Sequence, residues 1–170
     1  MDIEGKIDFF RETESVGALL FGVCDEPDES VKTPAYVDLN VENERQWGAV
    51  VCNSSGHSVN FTAIDNKIEI RRANGDMAKR CDAMLYNEIY LIFVELKNKR
   101  ADWIQSAIKQ LSSTLEVFSQ NYDIMVFRKR FAYICNQKSP HFAYSCKVAM
   151  QQFRNSHNVR LIISRDIAVK

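Results

Sequence analysis

The sequence predicts an α/β domain in which a mixed central sheet is flanked by helices. Three observations carry this expectation. Phe61 to Lys97 is rich in β-branched and aromatic residues punctuated by turn residues, which reads as three antiparallel strands. The last of these, Ile89 to Lys97, is apolar on both faces through Val94, the mark of a central strand covered on both sides. From Asp102 to about Gln120, the residues Trp103, Ile104, Ala107, Ile108, Leu111, Leu115 and Phe118 repeat at i, i+3 and i+4, as an amphipathic helix requires.

The elements follow in order. Residues 7–24 suit a short helix or strand. Asp25 to Pro34, with two prolines and a charge cluster, reads as a loop. Residues 41–52 predict a helix, with Val41, Trp47 and Val51 near one face and Glu42 and Glu44 in the first turn, where the dipole favours acids. Strand formers run from Phe61 to Ile70. Asn74-Gly75 predicts a two-residue hairpin turn into a strand from near Met77 to Tyr86. Asn87-Glu88 predicts a second tight turn into the Ile89–Lys97 strand. Asp102, with Gln105 three residues on, resembles a capping box for the long helix. Phe131–Cys135 is a short buried strand. Residues 144–156 suit a second helix with Cys146, Ala149, Met150 and Phe153 inward, and Val159–Ser164 is a last strand.

Length and composition bound the class. The chain has 170 residues, which suits one domain. Its longest apolar run, Val16 to Cys24, is far short of the ~20 residues of a membrane span. The five cysteines are odd in number and include no C-x-x-C pair, which argues against a disulfide framework or a zinc ribbon. With an acidic start in place of a basic leader, a cytoplasmic protein is expected. The formal charge is zero, which argues against nucleic acid. That sum hides a split. Residues 1–30 hold nine acids and two bases, a net of −7, and the other 140 hold 13 acids and 20 bases, a net of +7. The first forty residues therefore read as an acidic extension packed on or near a basic body.

Register brings chemistry-bearing residues together. If Asn87-Glu88 closes the hairpin, Asp82 lies opposite Phe93, and Glu95 is its diagonal neighbour at ~7–8 Å. Side chains alternate across a strand, so Asp82, Glu95 and Lys97 share one face. Two carboxylates and an ammonium suit metal-assisted phosphodiester hydrolysis, because Mg²⁺ prefers oxygen ligands and acidifies a bound water. Lysine can orient that water or offset charge on the phosphate. Gln110, seven residues from Trp103, falls on the apolar face of the long helix and needs a partner, for which the Glu95–Lys97 end of the strand is nearest. Plainer readings stand beside these. The charged trio can be a surface salt-bridge cluster, Gln110 a satisfied core glutamine, and Glu42 and Glu44 complements to a helix dipole.

The hairpin Arg80-Cys81-Asp82, then Phe93-Val94-Glu95-Leu96-Lys97, then a helix carrying Ala107 and Gln110-Leu111, resembles the PD-(D/E)xK nuclease superfamily, which includes restriction endonucleases and archaeal Holliday junction resolvases. The resemblance covers about residues 41–136 as an α-β-β-β-α-β core, with 41–170 as the nuclease-like domain. It implies that Asp82 and Glu95 bind Mg²⁺ (or Mn²⁺), that Lys97 is catalytic, and that Gln110 matches a helix glutamine of several branches. An acid of the first helix often completes such a site, and Glu44 or Glu42 would fill that role. Ala83 follows Asp82 and the motif's proline is absent.

The function expected is a Mg²⁺-dependent endonuclease acting on DNA, without a small-molecule cofactor and not at a membrane. A homodimer or partner protein would supply further surface. Arg71, Arg72, Arg80, Lys99 and Arg100 are candidate phosphate contacts, since basic rims bind phosphate backbones through counterion release. The rival reading is a catalytically inactive nuclease-fold binding, immunity or regulatory module. The acidic residues 25–30 are a solvated loop, or a cover over the basic groove.

Overall fold

The computed structural model describes residues 3, 5–26, 28, 30–139 and 146–170. Among the described residues ten strands form two sheets. They are β1 (Glu14–Val16), β2 (Leu20–Cys24), β3 (Tyr36–Asp38), β4 (Ala49–Asn53), β5 (Val59–Ala63), β6 (Ala83–Tyr86), β7 (Tyr90–Lys97), β8 (Lys129–Asn136), β9 (Arg160–Ile163) and β10 (Asp166–Val169). Helix α1 spans Ile104–Asn121 and α2 spans Lys147–His157. The larger sheet has the order β1-β5-β6-β7-β8-β9, antiparallel from β1 to β7 and parallel from β7 to β9. The smaller has the order β10-β4-β2-β3. The chain is thus α/β with a mixed central sheet.

β7 shows why the layers form. Its alternation sends Leu91 and Phe93 to a core shared with Ala107, Leu111, Leu115 and Phe118 of α1. Ile92 and Val94 go to a second core shared with Phe21, Val23, Val51 and Ile167 of the smaller sheet. Each fully buried side chain of this size contributes roughly 1.5–3 kcal/mol. Both faces of the central strand are therefore covered, one by helices and the other by a sheet.

That second covering layer departs from the expected helix over 41–52. Only Val41–Gln46 is helical, as a 3-10 turn capped by the Asn40 side chain on Glu42 N–H. Gly48 breaks it, and the β-branched pair Val50-Val51 continues as β4 between β2 and β10. The described residues of 1–40 join both layers. They supply β1 to one sheet and β2 and β3 to the other, with Phe9 and Phe21 fully buried.

Three further expectations shift. Asn74-Gly75 lies in a three-residue loop between Arg72 and Asp76, with Gly75 at φ +86, and flanks a single bridge, Arg71 to Met77, rather than two strands. Strand β6 starts only at Ala83. Asp102 has a left-handed backbone (φ +56) and Trp103 takes the cap position of α1 without a side-chain cap, so no capping box forms. Of the predicted second helix, residues 144–145 lie outside the described residues, and Phe153 is its buried residue. β10, absent from the sequence reading, pairs in parallel with β4. Among the described residues no helix is long and apolar enough to cross a membrane.

Candidate active site

The site lies where β6 begins and β7 ends. The register differs from the expected one by a single step on each strand. Asn87 Oδ1 accepts from Ile89 N–H at 2.9 Å and Tyr90 N–H at 2.8 Å, so Glu88-Ile89 forms the turn instead of Asn87-Glu88. Ala83 then pairs with Val94 and Met84 with Phe93. One step further, Asp82 stands across from Glu95 rather than diagonal to it. The parity is unaffected, so Asp82, Glu95 and Lys97 project on the α1 side of the sheet with Met84, Leu91 and Phe93.

Glu95 is 1% exposed and Asp82 8%. Leu96 N–H donates to Asp82 Oδ2 at 2.6 Å, which fixes that carboxylate against the neighbouring strand. Lys97 Nζ lies 2.6 Å from Glu95 Oε1, its side chain 15% exposed. The same ammonium donates to Gln110 Oε1 at 2.8 Å. Gln110 in turn donates from Nε2 to Arg80 O at 3.2 Å. Thr114, one helical turn on, donates to Gln110 O at 3.0 Å and accepts from Cys81 N–H at 2.8 Å. Gln110 and Thr114 thus clamp the segment entering β6 while holding the lysine. Glu95 Oε2 is buried and has no hydrogen-bond partner.

The electrostatics follow from burial. Desolvation lifts the Asp82 carboxyl to about 7; the Leu96 N–H and Lys97 oppose it, and Asp25 and Asp65 add to it. Desolvation and then the Asp82 charge push Glu95 well above the usual carboxylate range, against the pull of Lys97. One ammonium cannot neutralise two carboxylates. The ionised trio carries a surplus negative charge in a low-dielectric setting, which a proton or a cation relieves.

Two acids outside the predicted site residues bear on this pair. Asp25, just past β2, raises Asp82 and feels Lys97. Asp65, in the turn after β5, acts on both Asp82 and Glu95. Asp25 belongs to the acidic residues 25–30 read from the sequence only as a loop or a groove cover, and Asp65 carries no sequence signal. Asn136, the partner of Lys97 in β8, is also new. Its side chain donates to Lys99 O at 2.7 Å and accepts from Lys99 N–H at 3.3 Å, which holds the chain just beyond β7.

Other expected residues fall elsewhere. Glu44 and Glu42 are exposed on the 3-10 turn beside the smaller sheet. The Glu44 carbonyl accepts from Arg165, and Asp25 and Asp65, not Glu44, are the acids acting on the pair. Among the described residues no three acidic, His or Cys side chains gather to hold a metal. Arg80 is held by Asp65 at 2.9 Å and by Ile68 O at 3.0 Å, so it braces the site's entry instead of standing free for phosphate. Arg71 pairs with Glu69, and Arg72 bridges to Ile3. Lys99 and Arg100 are exposed directly beyond Lys97.

No family model, no curated protein and no solved structure matches this chain.

Proposed function

We propose that the protein is a Mg²⁺-dependent nuclease that hydrolyses DNA phosphodiester bonds, on a restriction-endonuclease-like core. The observation that carries this reading is the meeting of Asp82, Glu95 and Lys97 at one end of β6 and β7, with Gln110 on the lysine. The chain order β5-β6-β7-α1-β8 supports it as a β-β-β-α-β core. Donor chemistry fits a hard cation. Two carboxylates suffice for Mg²⁺, which keeps waters and takes substrate phosphate oxygens. The unpartnered Glu95 Oε2 and the surplus negative charge call for positive charge at this point.

Asp82 and Glu95 would hold the ion, which supplies charge neutralisation and an acidic water. The chain's residues do the rest. Gln110 fixes the Lys97 ammonium, and that ammonium donates to a phosphate oxygen as negative charge grows there. Lys99 and Arg100 meet the flanking phosphates. A second copy or a partner protein would supply sequence readout.

The depth of Glu95 and its close pairing with Lys97 favour a second reading, a nuclease-fold binding, immunity or regulatory module without the reaction. A Mg²⁺ and Mn²⁺ cleavage assay on duplex, junction and single-stranded DNA separates the two. Lys97→Met is expected to keep the fold by circular dichroism and to lower cleavage at least ~10²-fold. Equal cleavage by the variant overturns the site assignment, and uncut DNA with the wild type leaves the binding module.

A further inference from the structure

We propose that Asn136 positions Lys99 and Lys138 as a paired phosphate-binding site beside Lys97, where the two lysines take neighbouring phosphates of one DNA strand. The inference rests on the DNA reading above and adds a second strand end to the contact surface. Asn136 is the parallel-register partner of Lys97. Two residues before it, Ile134 packs in the core that α1 covers. Side chains alternate, so Asn136 leaves β8 on the face that carries Glu95 and Lys97.

Asn136 is 1% exposed, and both ends of its amide are committed. Its Nδ2 donates to Lys99 O at 2.7 Å. Its Oδ1 accepts from Lys99 N–H at 3.3 Å and from Lys138 N–H at 3.1 Å. One buried side chain thus ties the segment leaving β7 to the segment leaving β8. Gln137 closes the same junction: its N–H donates to Lys97 O at 3.0 Å, and its Nε2 donates to Arg45 O at 3.1 Å. Both lysines are exposed. Paired strands lie about 4.8 Å apart, so the two side chains start side by side. Like charges held this close repel, and a run of phosphates relieves that repulsion while releasing counterions.

Fluorescence anisotropy of a short labelled DNA duplex tests this with the full chain, in chelator and with Ca²⁺, over a series of salt concentrations. Lys99→Gln and Lys138→Gln are each expected to weaken binding and to lower the slope of log K against log salt by about 1. Arg128→Gln, an exposed residue at the opposite end of β8, should bind as wild type. Asn136→Ala should also weaken binding and lower the slope, yet add no further loss to a chain already carrying Lys99→Gln and Lys138→Gln. Wild-type affinity and slope in Lys138→Gln overturn the lysine pair, whether or not Asn136→Ala folds. A loss from Asn136→Ala that persists in full without the two lysines overturns its positioning role, since structural damage is then the cause. A wild type that binds no DNA in either condition overturns the DNA reading and this inference with it.

Discussion

Asp82 shows what burial does to a single carboxyl group. Its folded value is near 7, against about 3.9 in an unfolded chain. Between those values the folded state holds a proton that the unfolded state has released. Stability therefore falls as pH rises from about 4 to about 7. Burial of Glu95 acts in the same direction. The full shift corresponds to at most about 4 kcal/mol, since one pH unit is about 1.4 kcal/mol. Asp82→Asn keeps an acceptor for Leu96 N–H and removes the titration. In metal-free protein its melting temperature should vary less between about pH 4 and 8 than that of the wild type. Calorimetric melts in chelator across that range check this, and parallel curves for the two proteins would contradict the origin given. Parity along β6 and β7 made the shared face of Asp82, Glu95 and Lys97 legible in the sequence. Their register was not, because the Asn87 side chain moved the turn by one residue.

At the scale of elements, β2 is the less obvious support of the site. It pairs with both β3 and β4, and Gly22 lies directly against the Trp47 indole. A methyl group at Gly22 would fall inside that ring. Trp47 is fully buried and donates from Nε1 to Asp38 at 2.9 Å, so it cannot move aside without breaking the link to β3. Gly22→Ala is expected to destabilise the chain by about 1–3 kcal/mol, the usual range for overpacking. Urea unfolding with an unchanged midpoint would show that the indole has room to shift. The contrast with α1 is instructive. Seven apolar residues at helical spacing made α1 plain in the sequence, whereas residues 41–52 gave helical spacing and folded as a short 3-10 turn that gives way to a strand. Local periodicity decides a long amphipathic helix, but a short segment follows the sheet that covers it.

At the scale of the molecule, the uneven charge takes a different meaning. The acidic first thirty residues are built into both sheets through β1 and β2. Of the acidic segment 25–30, residues 27 and 29 lie outside the described residues; the charge of its first member, Asp25, adds to the upward push on the Asp82 carboxyl. A chain lacking residues 1–30 is expected to lose cooperative thermal unfolding, since Phe9, Phe21 and Val23 leave two cores at once. A two-state melt near the wild-type temperature would show that these strands are dispensable.

The sequence by itself determined what depends on near neighbours. It set the α/β class, the long helix, the two-sided apolar central strand, and the common face of Asp82, Glu95 and Lys97, with Gln110 placed toward them. Each rests on a repeat of two or of 3.6 residues, read within a few turns of chain. Only the tertiary structure decided the second sheet, the pairing of Asp82 with Glu95, and the arrival of Asp25 and Asp65. These join residues from 12 positions apart, as Cys24 and Tyr36, to 116 apart, as Val50 and Asp166. Such contacts are fixed by which apolar faces can bury one another and by which turn closes best, and local periodicity carries neither.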